Sequence, residues 1–343
     1  MGTNAAVIRP EASANDSASP KAATWRNSPL WARLRKWAVP AIGVFVLGML
    51  LSHAHKVDWA GAWEALKRYP PLLLLGVMGI ATLSHALYGC FDLLGRRHTG
   101  HRLPWWQAWA IAVTSYAFNL NLGSLVGGVA MRARLYARAG LDEATVAQVV
   151  GISLATNWLG YGLLAGGLFA AGQIAPPEQA HVSAETLRVV GAGMMALAAA
   201  YVVACAMGRH RVWRIRGKTL HLPSPQLAVV QLAISAANWA LMGAAMYLLL
   251  GGKVSYGMTL GVLLAASIVG VLTPIPAGLG VLEAVYIALL AGTVGQGRLM
   301  GAVLAYRALY YLLPLAGGLV LYAALERYHT AHALPPADNP APP

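Results

Sequence analysis

Charge is scarce in this sequence. Only 11% of its residues are Asp, Glu, Lys or Arg, whereas a water-facing surface brings soluble domains to about 25%. That deficit excludes an ordinary soluble globular domain. Acidic side chains are rarer still, 12 against 25 Lys and Arg. The two cysteines, Cys90 and Cys205, are too few and too far apart for a disulfide framework or a cysteine metal site. There is no Walker motif, nucleotide-binding glycine fingerprint or nucleophile elbow, which argues against ATP-driven pumping by this chain. The pair His98 and His101 has no carboxylate or cysteine partner in its loop, so neither a metal nor another cofactor is expected. The short alternating segments of an outer-membrane barrel are missing too.

What is abundant is apolar: 58% of the residues are hydrophobic, and they fall in blocks long enough to cross a hydrocarbon core as helix. Six blocks read as full spans, 37–52, 72–94, 142–171, 186–208, 226–250 and 300–325. The segment 57–69 has apolar residues near helical spacing with charges between, the pattern of a helix lying at the interface. Two further stretches, 105–138 and 257–297, are too long for one helix and are broken midway by glycine, proline or polar residues. Backbone freed by such a break is tolerated at membrane depth only against protein or a watery cavity, so each stretch is expected to be a re-entrant hairpin.

Charge tests this layout. With the amino terminus cytoplasmic and both hairpins returning to the side they entered, the basic clusters 33–36, 96–102, 132–138 and 209–218 all lie on the cytoplasmic side. That is the positive-inside bias of an inner-membrane protein, and it accounts for the net charge of +13 without nucleic acid. The fold class is therefore an all-α polytopic membrane protein with six full spans and two re-entrant broken-helix hairpins. Its divisions are a disordered basic cytoplasmic tail (1–36), a first membrane repeat (37–171), a second (186–325) and a disordered tail (335–343). Each repeat reads span, span, hairpin, span, starting from opposite faces. Such an inverted repeat points to a transport site near the midplane.

Ionisable residues inside apolar blocks are the candidates for chemistry, because burying them in a bilayer is costly. Arg132 and Arg134 follow the break at Gly127–Gly128, Glu283 follows the break of Thr273 to Gly280, and Arg307 lies inside the last span. Glycines at 127, 128, 278 and 280 permit positive φ and close approach to a ligand, while Pro274 and Pro276 hold the second break open. Arginines beside half-helix amino ends favour a phosphate. Glu283 is left with three roles: pairing with an arginine, accepting a cationic amine, or carrying a proton. The bland readings stand beside these. The arginines also suit a cytoplasmic helix end, Glu283 with Arg307 a structural ion pair, and the glycines close helix packing. Asn119, Asn121, Asn157 and Asn238 read as interhelical hydrogen-bonders.

The runs GSLVGGVAMRARLYARAGL, TPIPAGLGVLEA and AYRALYYLLP resemble the lysylphosphatidylglycerol synthase/flippase transmembrane family, in particular its inner-membrane members without the synthase domain. The resemblance implies movement of phospholipids between leaflets, with Gly127, Gly128, Arg132 and Arg134 in one hairpin, Pro276, Gly278, Gly280 and Glu283 in the other, and Arg307 facing them. One departure is Ala277, where the family pattern has glycine. No aminoacyl-transferase domain follows the last span, so lipid aminoacylation by this chain is not expected. The reading is a non-enzymatic lipid translocase of a bacterial inner membrane, with membrane phospholipid as its partner. Its rivals are an ion-coupled carrier of a small anion and a membrane scaffold for a lipid-modifying enzyme. Homo-oligomerisation is left open.

Overall fold

A computed structural model of the chain describes residues 59–174, 183–208, 213–215, 218–220, 222–273 and 280–332. The expected span 37–52, both tails and the proline-bearing part of the second break (274–279) lie outside them. Pro276 and Gly278 are therefore among the undescribed residues.

The first described element is the short helix α1 (Trp59–Lys67), inside the segment read as interfacial. Tyr69, just beyond it, donates to the carbonyl of Leu249 at 2.9 Å. Helix α2 (Pro71–Thr99) follows, started by proline at its first turn and ended by Gly100 in the left-handed conformation. Then come α3 (Trp105–Leu122), a π-helical turn at Ser124–Ala130 and α4 (Met131–Arg138). Helix α5 (Glu143–Ala170) is capped by Asp142, whose carboxylate accepts from the backbone N–H groups of Ala144 and Thr145, both at 3.0 Å. Helix α6 (Ala184–Met207) is capped by Ser183. A small antiparallel ribbon, β1 (Trp213–Ile215) with β2 (Lys218–Leu220), folds up part of the basic loop before α7 (Pro225–Leu249). Helices α8 (Tyr256–Leu272) and α9 (Val281–Val294) are the arms of the second broken stretch. Helix α10 (Gln296–Tyr306) runs through a second π-helical turn, Arg307–Leu312, into α11 (Leu313–Ala331).

Five of these helices, counting Gln296–Ala331 as one, are long and apolar enough to cross a membrane. They coincide with the five expected spans that fall on described residues. Large apolar side chains on them face outward, with Leu197 76% and Val320 72% exposed, as lipid-facing positions require. Inside, α2 packs against α3, α5 and α7, and α5 against α6. Hydrogen bonds tie the interior, because apolar contact alone does not distinguish a helix neighbour from lipid. One chain runs from the Tyr201 hydroxyl to Gln231 (2.7 Å) and from the Gln231 amide to Thr156 (2.8 Å), joining α6, α7 and α5. The amide of Asn121 donates to the Tyr311 carbonyl at 3.1 Å, linking α3 to the second π turn.

The first break sits elsewhere than the sequence reading puts it. The chain turns at Gly123 (φ 84°), not at Gly127–Gly128, which lie inside the π turn and do not take positive φ. Gly127 instead lets the returning arm lie on α3: a Cβ there would run into the carbonyl of Phe118. The second break agrees better, with Gly280 in the left-handed region (φ 81°) directly before α9.

Candidate functional site

Helix α4 carries the first site residues, and its short length gives it three distinct faces. Arg132 points inward and is 1% exposed. Its Nε donates to both carboxylate oxygens of Asp92 on α2, at 3.1 and 3.3 Å, and its Nη1 approaches the carbonyl of Gly128 at 3.4 Å. Tyr136, one turn further on, donates to the same carboxylate at 2.8 Å. The Tyr88 ring lies against the guanidinium, 5.4 Å from its carbon. Asp92 is itself 0% exposed, so charge, countercharge and hydroxyl form one buried cluster in which Arg132 Nη2 is left without a hydrogen-bond partner. Pairing with a countercharge is what makes a buried charge tolerable.

Arg134 and Arg138 leave α4 in another direction and meet Glu326 of α11. Arg134 Nη2 donates to Oε1 at 3.1 Å, and Arg138 Nη2 to Oε2 at 2.8 Å. The Tyr322 hydroxyl adds a bond to Oε1 at 3.0 Å, and its ring lies 5.5 Å from the Arg134 guanidinium carbon.

The third face of α4 is apolar. Ala133 and Ala137, with Val129 of the preceding π turn, line one wall of a cavity of about 400 Å³; Val146, Val150 and Leu154 of α5 line the opposite wall. Gly151, also on that wall, has open space where a Cβ would be.

The second pair of site residues meets directly. Arg307, at the start of the second π turn, donates from Nε to Glu283 Oε1 at 2.5 Å and from Nη2 to Oε2 at 3.0 Å. This fork-on-fork geometry is the strongest arginine–carboxylate arrangement. The pair is partly exposed, 15% for Arg307 and 17% for Glu283. Both π turns thus adjoin candidate residues, and π bulges concentrate where a helix must redirect functional side chains.

The structure therefore brings Glu283 to Arg307, and brings Gly128 to Arg132 with Gly127 behind them. It gives the α4 arginines acidic partners of their own rather than joining them to Glu283. Two carboxylates were missed in the sequence. Asp92 lies inside a block read as a span, and an acid there was signal enough. Glu326 stands one residue beyond the expected end of the last span. Among the expected hydrogen-bonders, Asn121 and Asn238 join helices through their side chains, whereas Asn157 does so through its backbone carbonyl, which accepts from Ser235 and Trp239.

Known proteins resemble the chain over most of its length. Residues 37–318 match the family described as the lysylphosphatidylglycerol synthase TM region. Inner membrane protein YbhN of Escherichia coli is 44% identical over 262 residues, covering 76% of this chain and 82% of that protein. The uncharacterized protein slr0712 of Synechocystis is 26% identical over 265 residues, covering 75% and 82% respectively. With the match running from the first expected span into the last helix, the chain belongs to the lysylphosphatidylglycerol synthase TM region family.

Proposed function

We propose that the chain is a lipid translocase that moves a glycerophospholipid, such as phosphatidylglycerol or its aminoacyl form, between the leaflets of a bacterial inner membrane without covalent chemistry. The observation that carries this reading is helix α4. One of its faces borders an apolar cavity of about 400 Å³, and another holds Arg134 and Arg138 against Glu326. A phospholipid presents these two chemistries, an acyl chain and a phosphate, at a fixed separation. A phosphate entering here competes with the Glu326 carboxylate for Arg134, exchanging one charge-assisted pair for another. Glu283 and Arg307 form the matching exchangeable pair on the second hairpin, where an aminoacyl headgroup amine competes for the carboxylate. Re-entrant hairpins in an inverted repeat would place these pairs on either side of the midplane. Family membership supports lipid as substrate, and the name of the Escherichia coli relative supports the inner membrane as location.

The test is leaflet exchange of labelled phosphatidylglycerol and lysylphosphatidylglycerol in proteoliposomes, comparing the parent with Glu283→Gln. Exchange by the parent that falls at least tenfold in the variant is the expected result, corresponding to the loss of about 1.4 kcal/mol or more of coupling. Equal rates in folded parent and variant would remove Glu283 from the site. A second reading, a carrier of a small soluble anion, is favoured by the enclosure of Arg132 and Asp92 away from lipid-facing surface. Uptake of an anion such as phosphate by vesicles that exchange no lipid would select it. A scaffold working through the basic loop 209–218 would instead survive Glu283→Gln and fail when that loop is neutralised.

A further inference from the structure

The middle of α2 holds a titratable group that none of the charge pairs uses. His85 is the central residue of Pro71–Thr99, a 29-residue helix long and apolar enough to cross a membrane. At about 1.5 Å per residue, it stands roughly 21 Å from either helix end. It is 5% exposed. Its Nδ1 lies 2.8 Å from the Ala81 carbonyl, which can only accept, so Nδ1 carries the proton of the neutral ring. Nε2 is left as a bare acceptor, buried and without a hydrogen-bond partner.

The imidazole is surrounded by aromatic rings and a short polar chain, none of which bonds Nε2. Tyr116 of α3 and Tyr310 of the second π turn flank the imidazole, with ring centroids at 4.8 and 5.2 Å. Ser84, next to His85, hydrogen-bonds the Tyr310 hydroxyl and donates to Asn238 of α7 at 2.7 Å. On its own helix the row continues at helical spacing through Tyr88 to Asp92. Tyr88 stacks on Tyr116 at 3.7 Å and lies against Arg132, while Asp92 accepts from Tyr136. His101, in the loop after α2, meets the Tyr136 ring edge-on at 6.3 Å. Among the described residues, the titratable rings in contact with His85 are Tyr310 and Tyr116, whose hydroxyl donates to Met242 Sδ at 3.6 Å, and Tyr88 stands one turn further along α2. The charges of Asp92 and Arg132 are reached through Tyr88, and Asn238 is uncharged.

We propose that His85 is an intramembrane proton-binding site, loaded from the His101 end of α2 along the row of Asp92, Tyr88 and Tyr116. The step is a simple protonation: Nε2 accepts H⁺ to give the imidazolium and later releases it towards the Ser84–Tyr310 side. A single acceptor among hydroxyls and rings suits a proton and not a metal ion, which takes three or more protein ligands. Asp, Glu and His chains inside membrane helices are the usual proton relays of pumps and transporters. Proton binding stands on this geometry alone. That the proton drives lipid movement rests on the translocase reading.

The test uses the full chain in phosphatidylglycerol-containing liposomes with a pH-sensitive dye inside, under a potassium/valinomycin potential negative inside. The parent is expected to acidify the lumen severalfold faster than protein-free vesicles, and His85→Gln to return the rate to theirs. No acceleration by the parent, or acceleration retained in His85→Gln, overturns the proposal. If His85→Gln does not elute as a folded species, Tyr88→Phe decides in its place, because it keeps the ring stack but removes a hydroxyl from the row. Labelled-lipid exchange in the same vesicles separates the two claims. Exchange without proton entry sinks the proposal and spares the translocase reading. His85-dependent proton entry without exchange does the reverse.

Discussion

Asp92 and Arg132 neutralise each other where neither meets water, so they stand or fall together. Removing one partner leaves a lone buried charge, which costs about 3–5 kcal/mol, whereas removing both is far milder. Arg132→Leu alone is therefore expected to lower the thermal unfolding midpoint in detergent sharply. The double variant Asp92→Leu with Arg132→Leu is expected to recover most of that loss. A double variant as unstable as the sum of the singles would mean the two charges are held by other groups. Arg307 makes a subtler case. Lysine keeps its charge but cannot reproduce two parallel bonds to Glu283. Arg307→Lys is expected to slow lipid exchange while leaving the fold intact, as read by exchange rate and size-exclusion profile together.

Within the first hairpin, two glycines do different work. Gly123 makes the turn by its backbone angle, and Gly127 permits contact between the arms by having no side chain. Gly127→Val must push the π turn off α3 and is expected to abolish folded protein on size exclusion. Gly123→Ala keeps the contact but strains the turn by about 1–3 kcal/mol, so it should fold with a lowered unfolding midpoint. On α5, Gly151→Leu has room for its side chain and replaces a weak helix former, so stability is retained or raised. The same side chain fills the cavity beside α4. Lipid exchange is expected to fall severalfold, and a parent-like rate in this variant would detach the cavity from transport.

Across the whole molecule, α5, α6 and α7 are each long and apolar enough to cross a membrane, and as successive spans their ends would alternate between its two sides. The amino end of α5, beside the basic helix α4, then lies opposite the turn between α7 and α8. Ala144 and Lys253 are exposed at these two ends. Cysteines placed there, in a background lacking Cys90 and Cys205, give a direct reading of orientation. A membrane-impermeant thiol reagent added to intact cells is expected to label Lys253→Cys, and to label Ala144→Cys only after permeabilisation. The opposite pattern would invert the orientation drawn from the basic loops.

Much of this was legible in the sequence because a bilayer constrains a chain locally. Each spanning helix must be apolar over its own length, so five helices long and apolar enough to span, the presence of an interruption within 105–138 and the helix at 59–67 show in short windows of residues. Glu283, Arg307 and the α4 arginines were equally visible, since a charge in an apolar block needs no partner in view to be noticed. Which carboxylate each arginine meets was not visible. Asp92 lies 40 positions from Arg132, and Glu326 lies 192 from Arg134, separations that only helix packing closes. The break at Gly123 rather than Gly127 was likewise decided in three dimensions, by which glycine had to turn and which had to pack. His85 reads in one dimension as a single polar residue in an apolar helix. Tyr116 from α3 and Tyr310 from the second π turn are brought to it only by packing.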